Sequence, residues 1–131
     1  MQTAGTLPSS ASSGIPGMNV EVMPANRAAV VVPNGDLNAA SGAELKRTLE
    51  DLLANGNTRL VVDMERVAYV DSVVWGELAT AATRARRAGG ELRICAMAGE
   101  LIEILRMIRL SALIGVFPTR EFATAFGQPA G

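Results

Sequence analysis

Histidine is absent from the 131 residues, cysteine occurs once, and aromatic side chains make up only 4%. Without histidine there is no Ser-His-Asp triad and no Cys-His pair. An imidazole zinc site is excluded too, since Cys95 alone cannot replace it. Histidine is the usual general base near neutral pH, so a base here would be a carboxylate or Lys46, the single lysine. A lone cysteine forms no internal disulfide and gives no sign of an oxidising compartment. The formal net charge of −1 argues against a nucleic-acid binder, which needs a clear basic excess. No apolar run approaches the ~20 residues that span a bilayer. No basic, then apolar, secretory signal opens the chain. These absences lead us to expect a cytoplasmic protein without membrane insertion, catalytic set, metal or cofactor.

Hydrophobic residues make up 49% of the chain. Its length suits one domain, since domains cluster at about 100–150 residues. Residues 1–17 are rich in Ser, Gly, Pro and Ala, which cannot bury enough apolar area to offset ordering, so a disordered tail is expected there. The ordered domain is expected over 18–126, with a frayed end at 127–131.

Met18 to Val22 alternates apolar and polar, as a half-buried strand does. Pro24-Ala25-Asn26 signals a turn, and the Val30-Val31-Val32 run suits a more central strand. Ser41-Gly42-Ala43-Glu44 reads as a capping box, followed by Leu45, Leu49, Leu52 and Leu53 at helical spacing and closed by Asn55-Gly56. Leu60-Val61-Val62 is a short buried strand, with a connector from Asp63 to Ala68. Tyr69-Val70 either extends the sheet edge or packs beneath it. A second helix follows Asp71-Ser72, with Val74, Leu78, Ala81, Ala82 and Ala85 on one face, and Gly89-Gly90 stops it. Leu92 to Cys95 reads as a strand and Gly99 to Arg109 as a third amphipathic helix. Val116-Phe117-Pro118 is a last short strand at most, and Thr119 caps a final helix through Phe126. The order β-β-α-β-α-β-α-(β)-α implies an α/β domain: a mixed sheet of four to five strands with four helices, the opening pair antiparallel.

Asp71-Ser72 is the strongest local feature. Both residue types favour the position before a helix. A serine there is also a good phosphoryl acceptor, because the dianion would face free amides and the positive end of the helix dipole. Arg84, Arg86 and Arg87 read as a solvated face, with an acidic partner patch as the alternative. Cys95 reads as a buried small hydrophobe. Met97, Met107 and Ile108 fill core or partner-groove space. The Gly35 loop lacks the lysine and spacing of a phosphate-binding loop.

Four motifs in order carry a resemblance. Asp63-Met64 followed by Tyr69-Val70-Asp71-Ser72 resembles the signature of STAS-domain anti-sigma factor antagonists, where a strand ends in Asp-Leu and an apolar pair with Asp-Ser opens a helix. Asn34-Gly35-Asp36-Leu37-Asn38 resembles the family's Gly-Glu-Leu-Asp loop. Gly89-Gly90-Glu91-Leu92 is similar to its glycine turn into a strand, and Leu105 through Thr119 to its ending. The resemblance implies a binding regulator rather than an enzyme. Its partner would be an anti-sigma factor, in many members also a serine kinase, and binding would free a sigma factor. Phosphorylation at the position of Ser72 would release the partner. The implied phosphosite environment is Asp71, Asp36 and Asn38. The implied partner surface is Gly35, Asp36, Asn38, Ser72, Val73, Val74, Trp75 and Gly76. A monomer or weak dimer is expected.

Two departures stand out. Val73-Val74-Trp75 replaces the family's small polar residue, glycine and leucine, and Asn38 replaces an aspartate. Trp75 either anchors an atypical kinase or packs in the core, and Ser72 is either the switch or no longer modified. A reading from another class is the STAS subunit of a membrane lipid or solute transporter, docking on an ATPase without phosphorylation. A small α/β enzyme is disfavoured by the missing histidine and the lack of paired acids.

Overall fold

The computed structural model describes residues 18–23 and 28–126. The expected tail at 1–17, the turn at 24–26 and the frayed end at 127–131 lie outside them. Five strands form one sheet in chain order: β1 (Met18–Met23), β2 (Ala28–Pro33), β3 (Arg59–Asp63), β4 (Glu91–Cys95) and β5 (Gly115–Phe117). β1 runs antiparallel to β2, with Met18 opposite Pro33. The other three pairings are parallel, with Val30 opposite Val61, Val61 opposite Arg93, and Ile94 opposite Val116. The short link between β1 and β2 allows only an antiparallel pair, whereas each parallel step needs a crossover.

Three crossovers supply α1 (Ala39–Ala54), α2 (Ser72–Arg87) and α3 (Gly99–Met107). Each moves one strand along in the same direction, so a constant handedness lands all three on one face. There Ala29, Val31, Leu60, Val62, Leu92 and Ile94 meet Leu45, Leu49, Leu78, Leu101 and Leu105 in the main core. The alternate residues Val30, Val32, Val61 and Cys95 point to the other face, which holds Ala123 of the short α4 (Arg120–Ala123) and Phe126. The Arg93 guanidinium lies over the rings of Phe126 and Phe117, 4.0 and 4.9 Å from their centres. Its Nε donates to Glu91 at 2.9 Å, so its charge is paired while its plane covers apolar surface.

Four local expectations are corrected. α1 starts at Ala39, not after Ser41: Asn38 is the cap, its side chain accepting from the Ser41 amide while Ser41 Oγ accepts from the Asn38 amide, each at 3.0 Å. Asp63 belongs to β3 rather than to the connector. α3 ends at Met107, and Arg109 turns into the left-handed region (φ 66°) before a 3-10 turn at Leu110–Ala112. α4 stops at Ala123, and the Thr124 hydroxyl just beyond it donates back to the Arg120 carbonyl at 2.9 Å.

α1 and α2 approach closely at Gly42. A Cβ there would collide with Cγ2 of Val74, a stiff β-branched side chain that cannot rotate away cheaply. Gly42→Ala is therefore expected to lower stability by about 1–3 kcal/mol in urea unfolding. The double variant Gly42→Ala/Val74→Ala should recover part of that loss relative to Val74→Ala alone. Additive losses would show that the helices do not meet at this point.

Candidate functional site

Two loops leave the carboxyl ends of adjacent parallel strands and are joined by backbone. After β2, Asn34 to Asn38 leads to α1; after β3, Met64 to Asp71 leads to α2. The Leu37 amide donates to the Tyr69 carbonyl at 2.9 Å, and the Asp71 amide donates to the Leu37 carbonyl at 2.8 Å. Leu37 and Val70 form a single parallel bridge and are both buried. Tyr69-Val70 is thus a clasp between loops, with Val70 beneath and the Tyr69 ring half exposed. Side chains reinforce it: Asp36 Oδ1 accepts from the Ala68 amide at 3.1 Å, and Arg66 donates to Asn34 Oδ1 at 2.8 Å.

Asp71 caps α2, its Oδ1 accepting from the Val73 amide at 3.0 Å. The Asp71 carbonyl takes the amides of Val74 and Trp75. These three amides are thus engaged, and among the first amides of α2 that of Ser72 remains without a partner among the described residues, beside the dipole and an exposed hydroxyl. Ser72 is the first residue of α2, and its Oγ stands 3.4 Å from Asp71 Oδ1, near the limit of a hydrogen bond. Tyr69 (52% exposed) and Val73 (58%) present apolar surface on either side in the chain.

The eight residues expected at the partner surface divide. Gly35, Asp36, Asn38, Ser72, Val73 and Gly76 are at least partly exposed. Val74 and Trp75 are not: Val74 is fully buried, and Trp75 is 6% exposed within the main core. Trp75, Leu78, Ala82 and Ala85 recur at steps of three and four, a pattern that marks one buried helix stripe. The surface departure at the helix start therefore narrows to Val73. Gly76 has nothing within 4 Å of where a Cβ would stand. It opens a groove of about 250 Å³ between α1 and α2, whose lining includes Lys46, Val73, Glu77 and Thr80.

Other candidates take plain positions. Arg84, Arg86 and Arg87 are exposed at the C-terminal end of α2, where cations suit the dipole, and Arg84 reaches Glu50 at 3.6 Å. Met97 is core, while Met107 and Ile108 are exposed. Cys95 is fully buried; burial first, then the charge of Asp63, pushes its thiol up to about 12. At neutral pH it is a protonated thiol, not a nucleophile. Among the described residues no group of acids and cysteine is placed to hold a metal ion. None of the described helices is long and apolar enough to cross a membrane.

One charged cluster escaped sequence reasoning. Asp63, 4% exposed at the end of β3, accepts from Nε and Nη2 of Arg120 at 3.1 and 2.9 Å, and Arg120 Nη1 reaches Glu21 at 2.9 Å. Burial works against the guanidinium charge, but the bonds and charges of Asp63 and Glu21 outweigh it and raise its pKa. The available signal was an acid directly after the apolar run Leu60-Val61-Val62, which needs a partner if buried. Arg120→Ala is expected to cost about 1–3 kcal/mol, below the range for a fully buried pair because Arg120 is one-third exposed. Urea unfolding checks this, and an unchanged midpoint would mean the bridge contributes nothing.

The STAS domain family matches residues 19–123. The chain belongs to the STAS family. Solved structures agree in fold. An anti-sigma factor antagonist from Mycobacterium paratuberculosis superposes with TM-score 0.71 at 20% identity, covering 81% of this chain and 88% of that one. The phosphorylated form of the Bacillus cell fate determinant SpoIIAA superposes with TM-score 0.65 at 16% identity, covering 81% and 95%. A STAS protein of Planctomyces limnophilus gives 0.67 at 14%, covering 82% and 93%. The four motifs read in the sequence thus sit in a STAS domain, with Asp63 closing β3 and Asp71-Ser72 opening α2.

Proposed function

We propose that this STAS domain is an anti-anti-sigma factor that binds an anti-sigma factor across the Gly35–Asn38 loop and the start of α2, and that phosphorylation of Ser72 ends the binding. The observation that carries this reading is the exposed Ser72 hydroxyl beside the Asp71 carboxylate, on a helix start held by backbone bonds to the Asp36 loop. A phosphate adds about −1.5 to −2 charge. It would stand next to Asp71 and close to the loop that bears Asp36, in a surface that loses water on docking. Like charges brought together at an interface cost several kcal/mol, and each ~1.4 kcal/mol is tenfold in affinity. The backbone bonds between the two loops support a charge that acts on the partner rather than by unfolding the domain. With Val74 and Trp75 buried, Val73 is the only one of the three replaced residues that a kinase meets on the surface. Asn38 supports the loop by capping α1, a role aspartate would fill equally well.

The test is to incubate the protein with anti-sigma kinases and ATP and map the phosphate by mass spectrometry. Modification of Ser72 that releases the bound kinase is the expected result. A kinase that binds yet leaves Ser72 unmodified would sink the switch. Recovery of a transport ATPase from the native host, without any sigma regulator, would overturn the anti-sigma reading itself.

A further inference from the structure

Each of the three crossovers lays a helix on the main face of the sheet, but the chain after β5 passes to the other face, where α4 packs. On the main face β5 therefore has no helix of its own and is flanked by α3 and the 3-10 turn. A cavity of about 460 Å³ lies between them. Its walls include Met97, Ile102, Ile114 and Val116. Met97 and Ile114 are buried, whereas Ile102 and Val116 pack on the core and remain half-buried. Arg106 and Ser111, both exposed, complete the lining, and no acid takes part in it. Arg106 follows Ile102 by four positions, so the two stand one above the other on the same side of α3. It makes no ion pair among the described residues.

This lining selects an occupant. Small-molecule sites of about 300–1,000 Å³ combine apolar walls with a few polar groups that fix orientation. Here the walls suit a hydrocarbon chain, and the single charged group suits one negative charge. A guanidinium matches a planar carboxylate through two parallel N–H···O bonds, and the Ser111 hydroxyl adds a further donor. The groove between α1 and α2 lacks this selectivity, since its lining sets Lys46 and Arg84 against Glu50 and Glu77. An added peptide strand fits less well. β5 is the outer strand of the sheet but has only three residues, short of the ~5–6 of an ordinary strand. We propose that this cavity binds a small amphiphilic carboxylate such as a medium-chain fatty acid, its chain against Ile102, Ile114 and Val116 and its head on Arg106. The head stays in water beside an exposed arginine, so affinity is modest, with a dissociation constant on the order of 100 µM.

Titration of the isotope-labelled full chain with decanoate, kept below its micelle concentration, tests this by nuclear magnetic resonance. The expected result is saturable movement of the Ile102, Ser111, Ile114 and Val116 amide signals, near completion at about 1 mM. Acetate, the head without the chain, should bind at least about tenfold more weakly. Decyltrimethylammonium, with the same chain and the opposite charge, should leave these signals in place. Arg106→Gln and Ser111→Glu, both at exposed positions, should each raise the dissociation constant about tenfold or more, while Arg106→Lys retains part of the affinity. Signals that do not saturate overturn the proposal. So does equal binding of the cationic amphiphile, movement centred on Met107 at the outer face of α3, or a folded Arg106→Gln with parental affinity. The readout needs no anti-sigma factor and is independent of the function proposed above.

Discussion

Ser72→Glu is expected to weaken binding to the anti-sigma factor by about 100-fold or more, with little change in stability. The glutamate would stand at the first position of α2, where a negative charge suits the helix dipole. Its neighbour Asp71 already holds the capping bond to Val73, so the new carboxylate has no structural task to disturb. The penalty then falls on docking, where the added charge and Asp71 must be desolvated together. Ser72→Ala is the companion variant. It should retain binding within a few fold and accept no phosphate. Titration calorimetry with the purified anti-sigma factor separates the two. Equal affinity for Ser72→Glu and the parent would place Ser72 outside the interface.

Trp75→Ala is expected to destabilise the domain by about 3–5 kcal/mol. The indole is part of the main core beneath the start of α2, and truncation leaves a cavity that the stiff Val74 beside it fills poorly. Small domains are stable by only about 5–15 kcal/mol, so the variant would be partly unfolded on modest warming. Partner affinity, corrected for the folded fraction, should stay near the parental value. Urea unfolding read by dichroism gives the first number and calorimetry the second. A stable variant with lost affinity would reverse the assignment and make Trp75 a docking anchor.

Trp75 also shows where sequence reading reaches its limit. The helix of Val74, Leu78, Ala81, Ala82 and Ala85 was legible because those residues recur at helical spacing. Yet the residue beside Val74 sits only 100° around the helix, and a wide apolar stripe includes both. Spacing alone does not say how wide the stripe is; the opposing α1 and sheet decide it. The start of α1 was misread for a related reason. Asn38-x-x-Ser41 and Ser41-x-x-Glu44 both satisfy the spacing of a capping box. The choice is made by the loop before them, where the Ser41 hydroxyl donates to the Asp36 carbonyl at 2.8 Å. Asp71-Ser72 is legible in the sequence because its chemistry is local. The Asp63–Arg120 bridge joins residues 57 positions apart, a separation no local pattern encodes.

The strand order, identical to the chain order, has a consequence for how the domain is made. Each strand after the first lies against the one that left the ribosome just before it, so the sheet grows at one open edge without threading a later strand between earlier ones. The segment from Arg120 to Phe126 is the exception: Ala123 and Phe126 pack against Val30 of β2, and Arg120 reaches back to Glu21, 99 residues earlier, as well as to Asp63. The β1–β4 part of the sheet and its helices can therefore assemble during synthesis, while the bond between the two ends of the domain waits for the C-terminal segment to emerge.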